Sequence, residues 1–302
     1  MKARRVASVS LGSSRRDARA EIALGDVRVD IERRGMDGDL RAARDQFCAL
    51  DGEVDALGLG GFELSVRVGG REYPLVAGQR LVRDVRRTPV VDGRGLKEVL
   101  ERRVFDLTDG ATRTRRYRRA FLPSGIDRYG LSHAVTQVAA RAVFGDLMFV
   151  LGVPVPITRL ATLARIARLL LPAVRRLPPS MLYPLGDKQE AIKPKFERYF
   201  READLLAGDF HYLRRHLPHD LSGKTIVTNT TTGADVELLR ARGLDLLITT
   251  TPGFQGRCFG TNVVEAAMTA ALGANRPLTD EEIAAAIERF TIRPQVTELQ
   301  AC

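Results

Sequence analysis

Residues 120–146, AFLPSGIDRYGLSHAVTQVAARAVFGD, constrain the fold more than any other stretch, because they spell out a strand, a turn, a helix and a second strand. A unit of that kind commits the chain to parallel strand pairing. Its turn, Ser124-Gly125-Ile126-Asp127-Arg128-Tyr129-Gly130, carries glycines at the first and third positions of a dinucleotide-binding G-x-G-x-x-G, with Asp127 in place of the middle one. About 20 residues on stands Asp146, where a nicotinamide-binding fold keeps the acid that hydrogen-bonds the adenosine ribose. Ser124, Gly125, Gly130 and Asp146, with Thr250 from a later loop, are the candidate cofactor-binding residues. They point to NAD over NADP, since a carboxylate repels a 2′-phosphate. Asp127 argues the other way, because its charge would oppose the anion that a helix N-terminus attracts. A turn that needs its glycines only for geometry is the competing reading.

Beyond residue 120 the pattern alternates between strands, at 120–122, 141–144, 204–207, 226–228 and 245–249, and segments of helical period. This is the signature of a doubly wound, Rossmann-like parallel sheet. The loops at its carboxyl edge, 124–130, 145–146, 208–211, 228–232 and 249–253, would line a crevice. They are rich in hydroxyls and amides and short of lysine, which suits a polyhydroxylated ligand. Asn229 is the candidate substrate-binding residue among them, and His211 stands where a strand ends. No G-x-x-x-x-G-K-[ST] occurs, which excludes a Walker-type ATPase.

The earlier part reads differently. A strand over 6–10 ends in Leu11-Gly12-Ser13-Ser14-Arg15-Arg16-Asp17, and strands at 18–24 and 27–33 form a hairpin about Gly25-Asp26. Helical spacing of Leu40, Ala43, Phe47 and Leu50 follows Asp37-Gly38-Asp39. A strand at 54–59, a second hairpin about Gly69-Gly70 and a helix at 82–87 come next. The expected architecture is α/β in two lobes: residues 1–116 as a mixed α/β substrate domain with β-hairpins, and 117–302 as a cofactor domain with a helical insertion at 153–202. A length of 302 residues with 44% hydrophobic and 28% charged content suits two such cores.

Two places in the first domain are candidates for chemistry. The loop after the first strand, with Ser10 and Ser13 among arginines, would suit a carboxylate or a phosphate. Asp92 ends a short strand in Thr88-Pro89-Val90-Val91-Asp92-Gly93-Arg94-Gly95-Leu96-Lys97, and Lys97 lies one turn into the next helix. Such a pair can serve as general base and acid, each holding the other's pKa, or it can simply cap a helix. Only Lys2, Lys97, Lys188, Lys193, Lys195 and Lys224 break the dominance of arginine, so Lys97 draws notice as a group that can release its proton.

Cys48, Cys258 and Cys302 show neither zinc spacing nor an even count, so no metal site and no disulfide framework is expected. With no apolar leader and no apolar run of spanning length, the expectation is a cytoplasmic protein. The net charge of +10 raises nucleic acid as a partner, but the one basic run, 113–119, comes with no recognition motif and reads as a linker. A helix at 157–177, with Leu160, Leu163, Ile166, Leu169 and Leu170 on one side among arginines, is amphipathic and basic. Packing against a core or a second copy in a homodimer is expected of it, in preference to a membrane surface. Lys188 and its neighbours suggest a phosphate contact or lid.

Taken together, SLGSSRRD, DGDL, LDGEVDALGLGG, TPVVDGRGLK, GDFHYLRRHLP, VTNTTT, LITTTP and GRCFGTN make the chain resemble the bacterial quinate 5-dehydrogenase group over nearly its whole length. That resemblance implies a substrate domain followed by a cofactor domain with terminal helices folding back. It also implies a pyridine-nucleotide oxidoreductase acting on a cyclic polyol acid such as quinate or shikimate. Ser10, Ser13 and Asn229 would bind substrate, Lys97 and Asp92 would move the hydroxyl proton, and hydride would pass to NAD. The alternative is a non-redox, two-lobed ligand- or nucleotide-binding protein, in which the SLGSS loop and hairpin resemble the first phosphate loop of the actin and sugar-kinase fold.

Overall fold

The structure is a computed structural model that describes residues 2–178, 194–229, 231–254 and 257–300. The chain forms two α/β units. The first comprises Met1–Val99, Leu170–Gln189 and Gly260–Ile292; the second comprises Leu100–Leu169, Glu190–Phe259 and Arg293–Cys302.

In the first unit β1 (Lys2–Ser10) lies at the centre of a sheet. Strands β2 (Ala18–Leu24) and β3 (Val27–Gly35) form the expected hairpin, with Gly25 at φ +63° in the turn. Helix α1 (Leu40–Leu50) starts where Asp39 accepts hydrogen bonds from the N–H groups of Arg41 and Ala42. It buries Ala43, Phe47 and Leu50, while Leu40 stays exposed. Strand β4 (Ala56–Gly60), the hairpin β5 (Ser65–Val68) and β6 (Arg71–Pro74), helix α2 (Val76–Val82), strand β7 (Val90–Val91) and helix α3 (Arg94–Leu100) follow. The sheet order is β2-β3-β1-β4-β7, parallel except at β2. The helix expected at 82–87 forms earlier, as α2, because Leu75 and Leu81 are the residues with a core to fill.

The helices Thr261–Leu272 and Asp280–Arg289 complete this unit. The first of them rests on β4: a side chain at Gly58 would come within 3.0 Å of the Asn262 carbonyl oxygen. The glycine-rich end of β4 is therefore a seat for a helix.

The second unit opens with α4 (Gly110–Thr114) and β8 (Tyr117–Leu122). The basic run read as a solvated linker is corrected here: Tyr117 is buried and the run ends inside a strand. Helix α5 (Tyr129–Val138), strand β9 (Ala139–Phe144), helices α6 (Asp146–Val150) and α7 (Leu160–Val174) come next. They are followed by α8 (Glu197–Glu202), β10 (Leu205–Ala207), α9 (Phe210–Arg214), β11 (Thr225–Thr228), α10 (Gly233–Ala241) and β12 (Leu246–Thr249). A small hairpin, β13 (Gly253–Phe254) with β14 (Arg257–Cys258), and an edge strand, β15 (Gln295–Glu298), complete the set. The order is β15-β12-β11-β10-β8-β9, with only β15 antiparallel. Each short strand sends alternate residues to opposite faces. Ala120, Leu122, Leu205, Ala207, Val227 and Ile248 pack with α5, while Phe121, Leu206, Ile226 and Leu247 pack with Phe200, Phe210, Leu213 and Leu239. Both faces are covered, as a parallel sheet requires. The fold class is thus the expected one, a mixed α/β unit and a doubly wound sheet.

Candidate functional site

In a doubly wound sheet the crevice opens at the carboxyl edge where the strand order reverses. In the second unit β8 is followed in sequence by β9 on one side and β10 on the other, so the reversal lies between β8 and β10. The loops leaving these two strands bring Arg128 and Asp209 together there, with Arg128 Nη2 3.2 Å from Asp209 Oδ2. The same guanidinium pairs with Glu101, and Asp127 lies 3.9 Å from its Nε. From β11 comes Asn229, whose Nδ2 donates to Asp209 Oδ2 at 3.0 Å and whose Oδ1 accepts from the Phe210 N–H. From β12 comes Thr250, whose hydroxyl lies 3.5 Å from Glu101 Oε1.

Burial grades this group from floor to mouth. The side chains of Glu101 and Arg128 are 0% and 2% exposed, whereas that of Asp209 is 30% exposed. Asp209 is also fixed from behind, because its Oδ1 accepts from the N–H groups of His211 and Tyr212 at the start of α9. The arrangement is a carboxylate held at an opening by a helix cap, an amide and a buried guanidinium. A carboxylate offers about four acceptor positions, so a ligand hydroxyl that donates to Asp209 shares or replaces one of these partners.

The expected cofactor residues do something else. Asp146 Oδ2 accepts from the Gly125 N–H and its Oδ1 from the Ile126 N–H, both at 2.9 Å. Burial pushes its carboxyl up to about 6, with those two N–H groups pulling the other way. Gly125 is small for packing: a Cβ there would stand 2.7 Å from Phe144 and 2.9 Å from Leu163. Ser132 Oγ closes the turn by donating to the Gly125 carbonyl. Gly130 is buried in the first turn of α5, and Ser124 is half-buried beside these groups. Two of the N–H groups that a pyrophosphate would draw on in this turn are therefore engaged by Asp146. Being 3% exposed, Asp146 does not face a ribose.

The remaining candidates lie in the first unit. Asp92 accepts from the N–H groups of Leu64 and Arg94, and so it caps α3. Lys97 pairs with Glu63. Near them Glu265 accepts from the Leu96 N–H at 2.8 Å, and burial, with Asp92 adding to it, raises its carboxyl to about 7. Asp92 and Lys97 therefore share a charged cluster, each with its own partner. Ser10 Oγ accepts from the Gly12 N–H and from Arg33, and Ser13 accepts from the Arg15 N–H through its hydroxyl and from Arg33 through its carbonyl. Arg33 also reaches Asp17 at 2.8 Å, so the loop closes on itself. The lid suggested at Lys188 lies outside the described residues. Among the described residues no group of histidine, cysteine or carboxylate side chains has the geometry of a metal centre.

Sequence reasoning selected Asn229 and Thr250 but missed Arg128, Asp209 and Glu101. Asp209 carried a signal, since an Asp-Phe-His-Tyr start is a helix cap at a strand's carboxyl end. Glu101 carried none, because its partners lie at positions 128 and 250.

A family model described as Domain of unknown function (DUF8754) matches residues 95–299, and another, Domain of unknown function (DUF8753), matches residues 5–92. No curated protein matches the chain significantly. Among solved structures, a galactofuranose binding protein is 8% identical, with 95% of this chain and 98% of that one covered and a TM-score of 0.35. A protein from Mycobacterium smegmatis in complex with β-D-fucofuranose is 11% identical, with 94% of each chain covered and a TM-score of 0.33. A periplasmic ribose ABC transporter protein from Conexibacter woesei DSM 14684 is 11% identical, with 96% and 97% covered and a TM-score of 0.32. Likenesses of that order are too remote to assign a ligand.

These findings correct the reading drawn from the resemblance. The matched family models are described only as domains of unknown function, and the solved structures named above are described by a sugar they bind or a sugar transporter they belong to, not as quinate dehydrogenases. The quinate dehydrogenase kinship and the oxidoreductase function are withdrawn on these findings, and Asp146 spends its two oxygens on the Gly125 and Ile126 N–H groups. The cytoplasmic placement is withdrawn as well, since it rested only on the lack of an apolar leader and of a run of spanning length, which fixes no compartment.

Proposed function

We propose, for a chain that belongs to the family described as Domain of unknown function (DUF8754), that it binds a small polyhydroxylated ligand without redox chemistry. The observation that supports this is the location of the Arg128, Asp209 and Asn229 group at the strand-order reversal of the second unit's sheet. Hydroxyls of the ligand donate to Asp209, the most exposed member. Asn229 and the buried Arg128 hold that carboxylate in place, and Glu101 fixes Arg128. Specificity then comes from which hydroxyls reach Asp209 at one time.

Calorimetric titration with a panel of monosaccharides, polyols and sugar acids tests the reading. One class should bind saturably, and Asp209→Asn should weaken it about 10- to 100-fold, the usual worth of a hydrogen bond to a charged acceptor. A panel with no saturable ligand, or one bound equally by the variant, would count against it.

A further inference from the structure

The surface of residues 150–169 carries a property that ligand binding does not use. From Leu147 to Pro178 the sequence has no acidic residue, yet it holds Arg159, Arg165, Arg168, Arg175 and Arg176. The same region concentrates exposed apolar surface. Among the described residues the large hydrophobic side chains left exposed are Leu40, Val150, Leu151, Val153, Val155 and Leu169, and all but Leu40 fall between 150 and 169. Exposed apolar groups gathered in one segment mark an interaction surface more often than scattered ones do.

Helix α7 sorts its residues by face. Leu163, Ala164 and Ala167 are buried, and Ile166 is half-buried. Arg165, Arg168 and Leu169, spaced i, i+3 and i+4, form an outward stripe in which Leu169 is 78% exposed. The expectation that Leu169 joins the apolar side is thereby corrected. Ahead of the helix, Val150, Leu151, Val153 and Val155 stand out on a loop whose Val155 N–H turns back to the Val153 carbonyl. That loop presents side chains while satisfying part of its own backbone.

We propose that this loop and the outward stripe of α7 dock on an anionic lipid surface. Arginines in a segment without acidic residues are complementary to lipid phosphates, and the valines and leucines of the same segment supply the apolar side chains that settle at the headgroup boundary. A second copy of the chain fits worse, because a twofold contact through this face would set the arginine stripe against itself. Among the described residues no helix is long and apolar enough to cross a membrane, so the association is peripheral.

The test is co-sedimentation of the full chain with vesicles of phosphatidylcholine alone and of phosphatidylcholine with an equal share of phosphatidylglycerol. Binding is expected to the anionic vesicles alone. Arg165→Glu with Arg168→Glu should reduce it at least about tenfold. Val153→Ser with Val155→Ser should reduce it while leaving charge unchanged. Arg116→Glu with Arg118→Glu, the same charge reversal on exposed arginines elsewhere, should leave most binding intact. An unchanged thermal melt for each variant shows that the fold is kept. Failure to bind anionic vesicles overturns the proposal. So does an equal loss in the Arg116 and Arg118 variant, which would mean attraction by net charge alone. Self-association that Leu169→Glu abolishes, without vesicle binding, would assign the face to a second copy.

Discussion

Gly125 sits where the turn after β8 meets Phe144, Leu163 and Ser132, with no room for a methyl group. Gly125→Ala should destabilise the protein by about 1–3 kcal/mol, the usual result of overpacking, and a denaturant melt would measure it. Glu265 supplies a different experiment. Its folded pKa, raised to about 7 mainly by burial, lies above the ordinary value of 4.5. The stability it contributes is therefore full below about pH 4.5 and lost as pH rises through 7, a swing on the order of 3 kcal/mol. Glu265→Gln keeps an oxygen for the Leu96 N–H and should flatten the stability profile between those limits. An unaltered slope would show that Glu265 does not titrate there. Legibility at this scale followed distance along the chain. Asp92 and Lys97 were visible as residues of a kind that do chemistry, but the partners that define them, Leu64 and Glu63, lie about 30 positions away and leave no mark in the local pattern. Asp146 was found for its position and misread for its direction, because a sequence does not say that a carboxylate turns back onto its own βα turn.

At the scale of elements, alternation and caps were enough to find most strands and helices. The hairpin β2–β3, α1 behind its Asp39 cap, and the strands β8 to β12 fell close to their expected places, since each combines a strong period with a clear stop. Edge strand β15 escaped, because Gln295–Glu298 is polar and becomes a strand only by pairing with β12. The helix Asp280–Arg289 opens with a reciprocal cap in which Thr279 Oγ1 accepts from the Glu282 N–H and Glu282 accepts from the Thr279 N–H. Thr279→Ala should cost about 1 kcal/mol, read as a lower thermal midpoint. An unshifted midpoint would mean that the helix is held by Ile283, Ala286 and Ile287 alone.

Over the whole molecule, the boundary between the two family models falls between residues 92 and 95, whereas the first unit also takes in Gly260–Ile292. A fragment ending at residue 99 would leave Gly58 and Gly60 without the Asn262 backbone and amide that cover them. Expressed alone, it should lack a cooperative melt and bind a hydrophobic dye, while a fragment carrying residues 260–292 on a linker should recover the transition. This threading bears on how the protein is made. The sheet of the first unit leaves the ribosome well before the helices Thr261–Leu272 and Asp280–Arg289 that complete it, a delay on the order of ten seconds or more at ordinary elongation rates. During that interval the nascent strands stay uncovered, so a chaperone that shields them would raise the yield of correctly assembled molecules.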